Sequence, residues 1–141
     1  MSVVYTAKAK ATGGGRNGQS ATDDGALAVT LATPKEMGGT GLGNNPEQLF
    51  AVGYAACYLG ALRFGSSQDK SLPPVPADAE VHSSVGIGPR DEGGFGLTIA
   101  LTVSLPGIAP DVAQKMVDAG HFICPYSHAL KSGLAVTTTI V

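Results

Sequence analysis

The segment NNPEQLFAVGYAACYLGALR, residues 44–63, constrains the fold more than any other part of the chain, because it joins a complete helix-start signal to an interior without charge. Asn45 is a good N-cap, Pro46 takes the first helical position, where its missing N–H has no partner to lose, and Gln48 reaches back to close a capping box. From Gln48 to Leu62 no residue is charged, and Gly53, Ala56 and Gly60 fall near one face, where another backbone can come close. The prediction is a buried central helix with Cys57 in its middle. It reads as too short and too rich in glycine for a membrane span, which needs about 20 predominantly apolar residues.

Such a helix needs a core around it, and 141 residues make one domain, residues 1–141, of ordinary size. Charged residues are only 14% of the chain against a usual share of about 25%, so little charge is available to cover the surface and a subunit interface is expected. A net charge of −2, with nine basic residues scattered along the chain, gives no electrostatic footprint for nucleic acid or for an anionic membrane. The opening MSVVYTAKAK lacks the basic segment and apolar run of a secretory signal, so the expected location is cytoplasmic. Two cysteines in that compartment point to a reduced, catalytic or metal-binding state before a permanent disulfide.

In chain order, Val3 to Thr12 has the composition of a strand, GGGRNG turns it at Asn17-Gly18, and Gln19 to Thr22 returns. Asp24-Gly25 marks a second turn before a third strand through Leu27, Val29 and Leu31. After the central helix and a proline-rich crossing, Ala79 to Ile87 and Phe95 to Leu105 alternate as a long hairpin joined by GPRDEGG. Pro110 to Ile123 reads as a second helix that Pro125 ends near Cys124, followed by a short helix over Tyr126 to Lys131 and a last strand, Leu134 to Val141. The sum is an α+β protein with mainly antiparallel sheet. A final strand as apolar as LAVTTTIV is expected to be central or paired with a second subunit.

Cys57 and Cys124 admit two readings, a pair of buried structural thiols or a redox pair. A cysteine in the middle of a helix gains little from the helix dipole, so an activated thiolate at Cys57 needs a cation from elsewhere. Arg16, the only arginine in the first sixty residues, lies in a glycine-rich turn and is the candidate; as a bland alternative it is a solvated turn residue. Glu47 suits the first turn of a helix whatever its function, and about 15 Å of helix rise separates it from Cys57. A long Arg16 side chain between them makes a carboxylate–guanidinium–thiolate row. His121, Cys124 and His128 have the spacing of a weak metal half-site, with Cys57 as a conceivable fourth ligand, and Cys57 with His121 is the pairing of a cysteine hydrolase.

Taken together, NNPEQLFAVGYAACY around Cys57, HFICPYS around Cys124, the opening YTAKAKATGGGRNG and GGFGL at 93–97 closely resemble the organic hydroperoxide resistance (Ohr) proteins of the Ohr/OsmC superfamily. The likeness covers essentially the whole chain, and the short Arg16 turn with CPYS favours that branch over OsmC. It implies an intertwined α+β homodimer and thiol-dependent reduction of organic hydroperoxides, with no cofactor and no metal. Residue by residue it implies that Cys57 is the peroxidatic cysteine, Cys124 the resolving cysteine, Arg16 the catalytic arginine and Glu47 its carboxylate partner. It also implies a lipoylated protein or other dithiol as reductant. His128 stands where many members have asparagine. Leu49, Phe50, Tyr54, Phe95 and Tyr126 are candidates for an apolar pocket that takes the alkyl part of the peroxide, and each is also an ordinary core residue.

Overall fold

Residues 1–140 are described by a computed structural model, in which two units, residues 1–50 and the remainder, each hold an antiparallel sheet of their own. In the first, β1 (Ala9–Thr12), β2 (Gln19–Thr22) and β3 (Ala28–Thr30) form a meander with β2 in the centre. The strand expected to begin at Val3 begins at Ala9, because its partner β2 turns away after Thr22, which faces Ala9. GGGRNG joins β1 to β2 as the expected hairpin turn. Within it residues Gly15–Asn17 form one turn of 3-10 helix, and Gly13 and Gly15 take the left-handed backbone at φ +72° and +60°. Asn17 is committed elsewhere: its Oδ1 accepts the Thr33 backbone N–H at 2.9 Å and ties the turn to the segment leaving β3.

That segment loops out and returns beside its own strand, where Asn44 donates to the Thr30 carbonyl at 3.0 Å and accepts from Ala32 at 2.9 Å. The next residue caps α1 (Pro46–Gln68) as the sequence requires. Asn45 Oδ1 accepts the Gln48 N–H at 2.9 Å and Gln48 Oε1 accepts the Asn45 N–H at 3.1 Å, the reciprocal box.

α1 runs past Arg63 to Gln68, since FGSSQ has no proline and its one glycine weakens a helix by only about 1 kcal/mol. At 23 residues, with a stretch of mean hydropathy 1.2, it is long and apolar enough to cross a membrane, so length does not exclude a span as expected. On one side of it Tyr54, Tyr58, Ala61, Leu62 and Gly65 form a buried stripe at helical spacing. Burial is nevertheless one-sided. Val52, Ala56, Gly60 and Phe64 are exposed, and the space beside Gly60 is open. The close backbone approach occurs on the facing helix, where a Cβ on Gly120 would stand 2.8 Å from Leu62 Cδ2.

β4 (Glu80–Pro89) and β5 (Phe95–Ser104) pair from Glu80 opposite Ser104 to Pro89 opposite Phe95, with Ile99, Leu101 and Val103 half-buried and the residues between them exposed. α2 spans Pro110–Ile123, Cys124 is extended at φ −64° and ψ 120° as a residue before proline should be, and α3 spans Pro125–Ser132. The expected last strand does not form. Residues 134–140 have no regular structure, and Val141 lies outside the described residues. A β-branched run becomes a strand only when a neighbouring strand takes up its N–H and C=O groups, and among the described residues no such neighbour pairs with it.

Candidate active site

The elbow between α2 and α3 is what brings the two cysteines together. Pro125 stops α2 at Ile123, leaving Cys124 to donate its N–H back to Gly120 at 2.9 Å and to accept the His128 N–H at 2.9 Å, so its backbone is held from both sides. Its side chain then points at α1, where Cys124 Sγ lies 3.7 Å from Cys57 Sγ. Both thiols are free. Their surroundings differ: Cys124 is 0% exposed, whereas Cys57 is only half-buried and within reach of a small molecule. Burial pushes the Cys57 thiol above its ordinary value, the Cys124 thiol adds to this, and the Tyr126 backbone N–H in the first turn of α3 works in the opposite direction. A reactive thiolate at Cys57 therefore needs further positive charge.

The first unit holds an ion pair of the right kind. Arg16 Nη2 donates to Glu47 Oε2 at 2.5 Å, and both anchors are built locally, Arg16 by the pinned glycine turn and Glu47 by the capped start of α1. The guanidinium holds the Glu47 carboxyl below the usual carboxylate range. Arg16 Nε is buried and meets no acceptor among the described residues. A buried N–H without a partner is costly, by roughly 1–3 kcal/mol, so such a donor marks a place where an anion is favourable.

Of the candidate pocket residues, Tyr54 is buried and its ring lies 5.7 Å from that of Tyr126, for which Gly53 leaves room. Leu49 and Phe50 are half-buried in the first unit, and Phe95 is exposed at the start of β5. His121 is not paired for metal or acyl chemistry. Its Nδ1 lies 3.1 Å from Ser127 Oγ and its ring packs 4.7 Å from Tyr58, and no group of three or more potential ligands is placed to hold a metal among the described residues.

Sequence reading missed Ser127. The buried Ser127 Oγ also lies 2.8 Å from the Tyr54 hydroxyl, so one oxygen joins residues from α1, α2 and α3. The available signal was the spacing of His121, Cys124 and Ser127 in steps of three, which the helix break at Pro125 obscured. A cavity of about 660 Å³ opens beside Tyr54, His121 and Ser127, lined also by Asp118, His128 and Lys131.

A family model for OsmC-like proteins matches residues 39–139 of the chain. An organic hydroperoxide resistance protein of Xanthomonas axonopodis pv. citri is 47% identical over 139 residues, covering 98% of this chain and 95% of its own. The crystal structure of an organic hydroperoxide resistance protein from Elizabethkingia anophelis is similar at a TM-score of 0.85 and 39% identity, covering 94% of this chain and 92% of that one. The corresponding protein of Bacillus subtilis gives a TM-score of 0.79 at 37% identity, covering 92% and 93%.

Proposed function

The chain belongs to the OsmC-like family, among its organic hydroperoxide resistance proteins, and from that premise we propose that it is a cysteine-based peroxidase reducing organic hydroperoxides to alcohols. The observation that carries the proposal is the dithiol at 3.7 Å with one member accessible and the other sealed. Cys57 thiolate attacks the peroxide oxygen, the O–O bond breaks, and the alkoxide leaves to take up a proton as the alcohol. The resulting sulfenic acid condenses with Cys124 to a disulfide, releasing water. A dithiol such as a dihydrolipoyl group on a protein restores both thiols by exchange.

Arg16 supplies the positive charge that the desolvated Cys57 thiol lacks, and Glu47 orients the guanidinium through the bond it already makes. The unpartnered Arg16 Nε is the support for this role, being a buried donor with no anion of its own. Tyr54 and Tyr126, with Leu49, Phe50 and Phe95, form the apolar surroundings that take an alkyl or lipid chain, which favours organic peroxides over hydrogen peroxide. The protein works as one domain and as an intertwined cytoplasmic homodimer, in which a second copy covers the open face of α1 and pairs the segment after residue 133. Exposed Val52, Phe64, Phe122, Leu134 and Val136 support that arrangement, since isolated soluble chains rarely leave so much apolar surface uncovered.

Intact mass under non-reducing conditions, before and after one equivalent of cumene hydroperoxide, tests the chemistry. The expected product has lost two hydrogens per chain. An unchanged mass, or a native mass that carries zinc, overturns the redox pair.

A further inference from the structure

Ser127 takes no part in attacking peroxide, yet it is the buried oxygen on which three helices converge. Tyr54 and Cys57 are three residues apart on α1, and Cys124 and Ser127 are three apart across the elbow. The Tyr54–Ser127 hydrogen bond at 2.8 Å therefore stands beside the thiol pair at 3.7 Å as a second rung between the same two segments. His121, one turn before Cys124 on α2, meets the same oxygen at 3.1 Å and fixes the elbow from its other arm. On the next turn of α1, the Tyr58 hydroxyl donates to the Val117 carbonyl at 2.9 Å, so α1 and α2 are already secured without Ser127. What Ser127 adds is local: it sets where α3 begins relative to Cys57.

Resting on the peroxidase reading above, we propose that Ser127 is a positioning residue for the second chemical step, holding Cys124 in line with the Cys57 sulfenic acid. In that step the Cys124 sulfur attacks the sulfur of Cys57–SOH, the S–O bond breaks as the S–S bond forms, and the thiol proton leaves with the hydroxyl as water. No outside oxidant is needed. The sulfurs must close from 3.7 Å to about 2.05 Å, and Cys124 is the thiol already beside Cys57. The sulfenic acid that waits is exposed to a second peroxide molecule and to oxidation beyond rescue. Keeping Cys124 aligned is therefore a matter of survival for the enzyme as well as of speed.

Ser127→Ala removes one oxygen and leaves the volume nearly unchanged, and rapid-quench alkylation with mass analysis follows the two steps separately. Peroxide consumption in the first turnover should stay within about twofold of wild type, while disulfide closure slows roughly tenfold or more, the scale of a small misalignment. Treatment with excess peroxide should then give a sulfinic acid on Cys57 that wild type avoids. Ser127→Thr keeps the hydroxyl and should restore closure, which a purely packing role does not predict. Closure at the wild-type rate in Ser127→Ala, or an equal loss in both steps, overturns the positioning role. A wild-type chain that consumes no peroxide overturns the peroxidase reading and this role with it, and is thereby told apart from the first two results.

Discussion

Glu47 and Cys57 are shifted in opposite directions, and the signs lead to different experiments. The hydrogen bond from Arg16 lowers the Glu47 value, so the carboxylate contributes stability above its ordinary value of 4.5 and loses it only as pH falls through the lower folded value. The Arg16–Glu47 pair therefore persists to lower pH than an ordinary carboxylate would allow. Cys57 is raised above 9.0 by burial, so without a cation its thiolate is scarce at neutral pH. Arg16→Ala should slow peroxide reduction on the order of a hundredfold, as removal of a preorganised electrostatic partner does, with a stability change of about 1 kcal/mol. The pH–rate profile should move to more alkaline values in the same variant, and Arg16→Lys should recover part of the rate. Wild-type rates and an unmoved profile would remove Arg16 from the mechanism. The cysteines separate as well: Cys57→Ser should lose all peroxide reduction, whereas Cys124→Ser should consume one equivalent and then accumulate one and later two oxygens on Cys57. Two variants that both keep full activity would leave only structural thiols. That Arg16 meets Glu47 and Cys57 meets Cys124 was legible because each of these residues lies beside a strong local signal. Ser127 was not, because a serine in a short helix becomes informative only when its partners are known.

Elements were legible where one chain satisfies them and illegible where their form depends on something further away. The α1 cap is written in Asn45, Pro46 and Gln48 and appears as written, and the β4–β5 hairpin follows from its own alternation. GGGRNG was legible as a hairpin turn, but the bond from the Thr33 backbone N–H to Asn17 that ties it down was not, because that partner lies sixteen residues away. The end of α1 was misplaced because glycine weakens a helix by only about 1 kcal/mol, and packing of Gly65 against Ile123 makes up for it. Gly120 is the element-level test. An added methyl there would meet Leu62 at 2.8 Å and the Tyr58 ring at 3.3 Å, both fully buried, so Gly120→Ala should cost about 1–3 kcal/mol in a urea melt despite the better helix propensity of alanine. A stabilised protein would show that α1 and α2 separate without loss. Asn45→Ala should cost about 1 kcal/mol by opening the capping box.

At the scale of the whole molecule, the shortage of charged residues was a fair guide to the amount of apolar surface left open, but not to its place. The exposed stripe of α1 and the residues after 133 mark it, and the proposed second copy should appear in sedimentation equilibrium as a mass about twice the 14.1 kDa of one chain. A purely monomeric protein at micromolar concentration would dissociate the open face from any partner copy. The unpaired segment at 134–140 carries a further consequence. If those residues acquire their hydrogen bonds only from another chain, then part of the folding free energy is an association free energy, subject to mass action. The melting temperature would then depend on how much protein is in the tube, rising with concentration, and dilution alone, with no denaturant and no change of pH, would unfold the molecule.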